Sequence, residues 1–348
     1  MRLTVLSVSF PFSPVRPDAA GGAEQVLGSI DRGLVRDGHR SVVIGPEGSR
    51  ISGELIATPG VKTTIDTRAW QSAHDAYRRE IAKALQTSPV DVVHMHGLDF
   101  RSYLPAAPVP TIATLHLPID WYDASLFRAP PPNLTLTCVS NAQRRRVPPD
   151  ALPVDVIPNG VPLSDRPWRE MARRRFVLAL SRICPEKGVH LALSAAQRAR
   201  IPLILAGCVS SFDTHQRYYR ETIAPRLDDT RRFIGPVGPR RKRRLLSAAR
   251  CLLVPSLAPE TSSLVTMEAT IPESERLRAA SICASGSAPS CETILLPYVP
   301  SWTSRGFKLP RCRAATLRWS YGSTKSRSVR HSHRIVPTSA RAARISWG

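Results

Sequence analysis

The chain opens with LTVLSVSF at residues 3–10, GGAEQVLGSIDRGL at residues 21–34 and SVVI at residues 41–44. The first and third stretches are short runs rich in apolar and β-branched residues, which is typical of buried strands. The second spaces its apolar residues three and four apart, and Gly38 follows where glycine commonly ends a helix. This strand–helix–strand order predicts a parallel sheet covered by helices.

The same alternation continues to about residue 254. Further strands are predicted at 91–96, 111–115, 134–139, 176–180, 203–206, 232–234 and 251–254, and further helices at 190–200 and 240–249. A second unit begins near Pro162. We therefore expect an α/β protein with two Rossmann-type domains, residues 1–161 and 162–269, whose ligands bind at the carboxyl ends of the strands.

Composition narrows the class of protein. The net charge of +22 rests on arginine, since only six of the 49 basic residues are lysine, and such a bias is typical of GC-rich coding sequences. No apolar run approaches the roughly 20 residues of a membrane-spanning helix. The seven cysteines are odd in number and form no C-x-x-C pair. We therefore expect reduced thiols in a cytoplasmic protein without a zinc site.

Two glutamates are the first candidate site residues, in the sequence PSLAPETSSLVTMEA at residues 255–269. Glu260 lies on a loop that enters a predicted helix, and Glu268 lies within that helix. The first turn of a helix has unpaired N–H groups that bind anions. Two carboxylates beside such a turn suit a ligand with hydroxyls and phosphates, such as a nucleotide sugar. The alternative is a pair of solvated glutamates.

Two cations follow the predicted strand 176–180. Arg182 can hold two phosphate oxygens at once, and Lys187 acts as a compact point charge, so the pair could clamp a diphosphate. The alternative is a surface loop whose cations pair with Glu186. The glycines of GGAE (residues 21–24) permit close approach of a ligand to the backbone, or simply a tight turn. They do not form a G-x-G-x-x-G, which disfavours a nicotinamide cofactor.

Histidines end two of the predicted strands. His116 follows the strand 111–115 at the edge where ligands bind, and it can hydrogen-bond a sugar hydroxyl, stabilise developing charge or serve as a structural residue. His94 and His96 lie on one side of their strand. They resemble a metal-binding pair, but no third ligand is evident from the sequence, and packing near the strand end is the expected role.

Seven basic residues occupy the run 231–244. Nucleic acid or an acidic membrane surface would suit such a run. Gly235, Pro236 and Gly238 interrupt it and an apolar helix face follows, so we interpret it as a solvated helix end. We expect no specific nucleic-acid partner, and a peripheral membrane contact stays open. The sequence also has no D-x-D to hold a divalent metal.

The pattern breaks after Ala269. Residues 270–348 contain 13 Lys and Arg against three Glu, with no Asp, Asn or Gln. Three of the six tryptophans lie there, at Trp302, Trp319 and Trp347, in a segment of poor periodicity. Such a mixture resembles a shifted reading frame of GC-rich DNA more than a folded domain. A genuine basic extension is the alternative.

The ordered motifs of residues 1–269 together resemble a glycosyltransferase of the GT-B fold, family 4, also described as the group 1 glycosyl transferases. The matching segments are GGAE at 21–24, VVHMHG at 92–97, TLH at 114–116, VS at 139–140, IPNGV at 157–161, SR with KG at 181–188, LAG at 205–207, FIG at 233–235 and Glu260 with Glu268.

The resemblance implies two Rossmann-like domains that face a cleft, and transfer of a sugar with retention of configuration and without a metal or other cofactor. Arg182 and Lys187 would hold the donor diphosphate, Glu260 the donor sugar and Glu268 the ribose. The backbone at Ser263 and Leu264 would contact the phosphates. Gly22 would line the acceptor side of the cleft, and His116 would lie beside the reacting sugar carbon.

After Ala269 the resemblance ends. The family continues with a further core strand, later strands and a closing helix, none of which is recognisable here. The sequence therefore predicts an incomplete second domain with an unpaired sheet edge. The alternatives to an active transferase are a truncated relative without catalytic activity and, on charge alone, a basic nucleic-acid-binding protein.

Overall fold

The computed structural model describes residues 1–60, 65–162 and 174–270, together with the backbone of residues 278–281. These residues belong to one compact unit, residues 1–295. They form two parallel sheets with flanking helices, which we call the N-terminal and C-terminal lobes. The predicted α/β class with two Rossmann-like lobes is confirmed. The composition-based prediction for residues 270–348 lies almost wholly outside the described residues.

The N-terminal lobe contains a seven-stranded parallel sheet in the order β3-β2-β1-β4-β5-β6-β7. Its strands are β1 (Thr4–Val8), β2 (Arg40–Pro46), β3 (Glu54–Thr58), β4 (Val92–Met95), β5 (Thr111–Leu115), β6 (Leu134–Cys138) and β7 (Asp155–Val156). Its helices are α1 (Gly22–Arg36), α2 (Thr67–Thr87), α3 (Ser125–Arg128) and α4 (Asn141–Arg144). Short 3₁₀ turns follow β4 at Phe100–Tyr103 and β5 at Ile119–Trp121.

The centre of this sheet is buried on both faces, since β1 is buried from Val5 to Val8, the polar Ser7 included. Leu6 and Val8 of β1 are completely buried, as are Val93 and Met95 of β4. The ladder between these strands pairs Leu6 with Val93 and Val8 with Met95. Near-continuous apolar runs are expected in a parallel sheet whose two faces are both covered. β1 is therefore a central strand, between β2 and β4, and the chain runs from its carboxyl end to the glycines at the start of α1.

The C-terminal lobe contains a five-stranded parallel sheet in the order β10-β9-β8-β11-β12. Its strands are β8 (Val177–Leu180), β9 (Leu203–Ala206), β10 (Arg231–Phe233), β11 (Cys251–Val254) and β12 (Arg278–Ser281). Its helices are α5 (Val189–Ala199), α6 (Asp213–Tyr218), α7 (Pro239–Ala248) and α8 (Leu264–Ala269). The chain after α6 continues through a π-helical turn, Tyr219–Ile223.

One expectation about this sheet is wrong. The sequence predicts that the edge of β11 is unpaired, but β12 pairs with it in parallel, from Cys251 with Arg278 to Val254 with Ser281. Four consecutive non-proline residues can extend a backbone ladder, because the hydrogen bonds come from main-chain groups. The part of the chain in which the family has its later strands and closing helix lies outside the described residues.

Two observations concern membrane-spanning helices and cysteines. Among the described residues, no helix is both long enough and apolar enough to cross a membrane. The four cysteines that the structure describes are unpaired, namely Cys138, Cys184, Cys208 and Cys251. This agrees with the prediction of reduced thiols for these four positions. The other three cysteines lie outside the described part of the chain.

Candidate active site

The loop after β8 holds the predicted diphosphate ligands. Lys187 Nζ lies 2.6 Å from Glu260 Oε1, and the two side chains are 27% and 28% exposed. Ser256 donates a second hydrogen bond to the same carboxylate oxygen. The structure thus pairs two residues that are predicted to bind the sugar donor and that are far apart in the sequence. Lys187 pairs with Glu260, so the alternative in which it pairs with Glu186 is wrong.

Two glycines explain how this loop packs. Gly188 has φ +57°, and a Cβ added there would lie 2.1 Å from the carbonyl oxygen of Pro255. Gly207 has φ +149°, and its added Cβ would lie 1.8 Å from the carbonyl oxygen of Ser181. Only glycine tolerates such conformations and such contacts at low cost. The motifs KG and LAG therefore let the loops after β8, β9 and β11 pack backbone against backbone.

Glu24 is a site residue that the sequence analysis did not single out. It lies in the first turn of α1 and is 6% exposed, and its Oε2 atom has no hydrogen-bond partner among the described residues. Burial raises the pKa of its carboxyl, while its own backbone N–H, the charge of Arg182 and Ser13 lower it. Its carboxyl folds back over Gly21, where an added Cβ would lie 1.9 Å from Oε2. Arg182 of the C-terminal lobe therefore lies close enough to Glu24 of the N-terminal lobe to act on its carboxyl electrostatically.

His116 lies directly after β5 as predicted, but it is 9% exposed. Its Nε2 atom is 3.0 Å from Nδ1 of His96, and the two rings stack with centroids 5.3 Å apart. Burial, with a smaller contribution from His94, lowers the pKa of His116 to about 3. The imidazole is therefore neutral at physiological pH, so it suits hydrogen bonding rather than stabilisation of charge.

The neighbouring histidines form one cluster with His116. The rings of His94 and His96 are 4.0 Å apart, which confirms that they lie on one side of their strand. His94 Nε2 lies 2.8 Å from Thr114 Oγ1, and burial lowers the pKa of His94 to about 4. Nε2 of His96 is buried without a hydrogen-bond partner among the described residues. The sequence analysis missed this cluster because β4 and β5 are neighbours only in the folded sheet.

Three contacts join the two lobes at this point. Thr261 donates a hydrogen bond to the carbonyl oxygen of His116 (2.8 Å), and the Ser140 hydroxyl donates one to the carbonyl oxygen of Thr261 (2.6 Å). A Cβ placed on Gly22 would lie 3.5 Å from Leu264 Cδ1. The segment that carries Glu260 and Leu264 therefore lies against both α1 and the end of β5.

The second predicted glutamate has its own partner. Glu268 is the fifth residue of α8, and its Oε1 atom is 2.5 Å from Nζ of Lys242, with side-chain exposures of 16% and 14%. The interpretation of the basic run as a solvated helix end is therefore wrong for Lys242, although Arg240, Arg241 and Arg244 are exposed. Glu260 and Glu268 each pair with a different lysine.

The anion-binding turn that the sequence predicts begins at Ser263, the residue before α8. The Ser263 carbonyl accepts from the Met267 N–H, and its hydroxyl accepts from Thr266. α8 has only six residues. The structure thus brings Lys187, Glu260, Leu264, Gly22 and His116 to one seam between the lobes, while Glu268 lies further along α8.

The two lobes and the seam between them define the GT-B class of glycosyltransferases. A sequence model of Glycosyltransferase Family 4 matches residues 20–165, and one of Glycosyl transferases group 1 matches residues 163–271. Together the two models cover residues 20–271, and the chain belongs to the family 4, or group 1, glycosyltransferases. The two matches meet at residues 163–165, close to the predicted domain boundary between residues 161 and 162, which stays a prediction.

Solved structures show the same fold. AviGT4, a glycosyltransferase involved in avilamycin A biosynthesis, is 25% identical with a TM-score of 0.52, over 77% of this chain and 75% of that one. Sucrose-phosphate synthase from Thermosynechococcus elongatus is 17% identical with a TM-score of 0.58, over 76% and 78%. HepE from Anabaena, in complex with UDP and glucose, is 18% identical with a TM-score of 0.55, over 80% and 81%. No curated protein matches the chain.

Proposed function

We propose that this chain is a retaining glycosyltransferase that moves a sugar from a nucleotide diphosphate sugar to an acceptor. The observation that carries the proposal is the seam between the lobes. There Lys187 Nζ lies 2.6 Å from Glu260 Oε1. The next residue, Thr261, donates a hydrogen bond from its hydroxyl to the backbone carbonyl oxygen of His116 in the other lobe (2.8 Å). These contacts support the proposal that the cation, the carboxylate and the histidine flank the interlobe cleft in which the donor binds.

The cations would stabilise the leaving group. Breaking the glycosidic bond leaves negative charge on the diphosphate, and preorganised cations lower the energy of that state. An ammonium has three donors, and Glu260 accepts one from Lys187. Lys187 can therefore keep this ion pair and still donate to a phosphate oxygen. Arg182, five residues earlier in the same loop, would supply a second charge.

The carboxylates would orient the donor. The contacts of Glu260 with Lys187 and Ser256 both use Oε1, so Oε2 can accept from a hydroxyl of the donor sugar. Glu268 would accept from the ribose hydroxyls, with Lys242 holding its other oxygen. His116 is proposed to accept or donate a hydrogen bond near the reacting carbon as a neutral imidazole. Ser263, Leu264 and Gly22 would line the phosphate and acceptor sides.

A uridine nucleotide is the first donor to test, since HepE, which shares this fold, is crystallised with UDP-glucose. The purified chain is incubated with UDP-glucose, with water as the acceptor, and the released UDP is measured together with the initial anomeric configuration of the released glucose by NMR. The proposal predicts saturable turnover with retention and a large loss of turnover in Lys187→Ala. Product of inverted configuration would refute the retaining mechanism. No turnover with UDP-, ADP- or GDP-sugars would refute the transferase assignment.

A second candidate is a relative that has lost catalysis. The composition after Ala269 favours it, because the resemblance to the family ends there. This candidate predicts no rise in melting temperature with any nucleotide sugar, whereas a donor-binding enzyme is stabilised by its ligand. A nucleic-acid-binding protein would instead show steeply salt-dependent binding to DNA or RNA that persists in Glu268→Ala. A cytoplasmic location and a peripheral membrane contact stay proposals.

A further inference from the structure

A group of three potential metal ligands lies where the loop after β8 meets α6. Cys184, Glu186 and His215 each place one ligand atom within 4.8 Å of the others. Cys184 and His215 are buried and Glu186 is half-buried. None of the three is among the residues assigned above to the donor or the acceptor. Their grouping therefore requires a separate explanation.

The three side chains come from two elements. Cys184 and Glu186 flank Pro185 at the start of the 3₁₀ turn Pro185–Lys187, and His215 belongs to α6. His215 lies 31 positions after Cys184, so no spacing of the C-x-x-C kind exists to find in the sequence. The expectation of no zinc site rested on such spacings. It did not consider ligands that meet only when α6 packs against the loop after β8.

The orientation of the histidine suits a ligand. His215 Nδ1 lies 2.5 Å from the Ser210 hydroxyl, so Nε2 is the nitrogen left for a metal. A hydrogen bond at the other ring nitrogen is the usual way in which a protein fixes a ligating histidine. The backbone at Glu186 is also fixed, because its carbonyl accepts from the N–H groups of Leu257 and Ala258 (2.8 and 3.2 Å).

The charges of the group favour a dication. Arg182 is close enough to act electrostatically on both Cys184 and His215, and this positive charge would oppose a metal with neutral ligands. A thiolate and a carboxylate together contribute two negative charges. A dication bound by both would form a neutral unit, which adds no net charge beside Arg182. The thiol proton is released to solvent when the metal binds.

We propose that Cys184, Glu186 and His215 bind one Zn²⁺ ion. Sulfur, imidazole nitrogen and carboxylate oxygen are the donor atoms that zinc takes in proteins, and three protein ligands leave a fourth position for water. The ion would tie the loop that carries Arg182 and Lys187 to α6. This role is structural and takes no part in sugar transfer, so the proposal does not depend on the proposed function.

The test uses the full-length chain without an affinity tag, stripped with EDTA and titrated with Zn²⁺ by calorimetry. We expect about one tight site per chain, weakened about 100-fold or lost in Cys184→Ser and in His215→Gln. Cys208→Ser is the matched control. Cys208 is partly buried next to the same loop, with its carbonyl accepting from Ile183 N–H (2.9 Å), but its thiol is outside the group.

Cobalt supplies an independent readout of the sulfur ligand. The wild-type chain loaded with Co²⁺ should show a sulfur-to-cobalt charge-transfer band in the near ultraviolet, absent in Cys184→Ser and present in Cys208→Ser. Circular dichroism in EDTA establishes that each variant is folded, and Glu186→Gln replaces any variant that is not. Zinc affinity unchanged in the folded variants, or a cobalt band that survives Cys184→Ser, would overturn the proposal.

Discussion

Gly188→Ala is the substitution that most sharply tests how the donor loop is built. Gly188 has φ +57°, and an alanine Cβ there would lie 2.1 Å from the Pro255 carbonyl oxygen, well inside the 3.4 Å at which ordinary contact begins. Gly235 also has a left-handed backbone, with φ +71°, but an added Cβ there meets nothing within 4 Å. Gly235→Ala is therefore a matched control for the conformation without the clash.

The magnitudes follow from these two contributions. Both variants lose about 1–2 kcal/mol, because a left-handed conformation is unfavourable for an L-residue. Gly188→Ala loses about 1–3 kcal/mol more, since backbone atoms must shift to relieve the overlap. For a chain of this size, whose unfolding entropy is about 0.7 kcal/mol/K, the additional loss lowers the melting temperature by about 1–4 °C relative to Gly235→Ala.

Thermal unfolding followed by circular dichroism measures this difference directly. The same clash moves Lys187, which precedes Gly188, away from the segment between Pro255 and Glu260. We therefore also expect weaker nucleotide binding in Gly188→Ala than in Gly235→Ala, measured by calorimetry. Equal melting temperatures for the two variants would show that the loops after β8 and β11 do not pack in this way.

Three further predictions concern stability. The pKa of the buried His116 is about 3, against 6.5 for an exposed histidine. Between pH 3 and pH 6.5 the unfolded chain therefore binds more protons at this residue than the folded chain does, and the free energy of unfolding falls as the pH drops below 6.5. His116→Gln should therefore reduce the loss of unfolding free energy between pH 6 and pH 5 by about 1 kcal/mol in urea titrations, and an unchanged loss would contradict its burial. Ser140→Ala removes a helix cap and the bond to the Thr261 carbonyl, and should cost about 2 kcal/mol in the same assay; a cost below about 0.5 kcal/mol would argue against the interlobe contact. Lys242→Met leaves the mostly buried Glu268 carboxylate unpaired and should cost about 2 kcal/mol, recovered when Glu268→Gln is added; no recovery would mean that the pair is not formed.

The sequence predicts the sheets well for a physical reason. The strands predicted at 111–115, 203–206 and 251–254 agree with β5, β9 and β11, because strands buried on both faces are continuous apolar runs between turns. Helix α2 was not predicted. Its buried positions are Ala76, Tyr77, Ile81 and Ala84, so much of its inner face is small and gives a weak apolar pattern.

The candidate site is predicted only in part. Motif spacing finds Lys187 and Glu260 as separate residues, but 73 positions divide them, and no local pattern shows that they form an ion pair. Lys242 lies in a run of arginines, several of which are exposed, so the sequence does not show that it forms an ion pair with Glu268. Glu24 belongs to the GGAE motif, but a glutamate in the first turn of a helix is common on exposed helices, so its burial beside Arg182 gives no local signal. Contacts between distant segments depend on the fold and are not encoded in spacing.

The central claim is that the cleft between the lobes binds a nucleotide diphosphate through Lys187. Calorimetric titration of UDP, ADP and GDP into the wild-type chain, Lys187→Ala and Lys83→Ala tests it most directly. Lys83 is an exposed lysine of α2 and serves as the control for loss of one positive charge. We predict that at least one nucleotide binds, that Lys187→Ala weakens its binding at least about tenfold, and that Lys83→Ala leaves it unchanged. Absence of binding by all three nucleotides, or equal affinity in both lysine variants, would contradict the account.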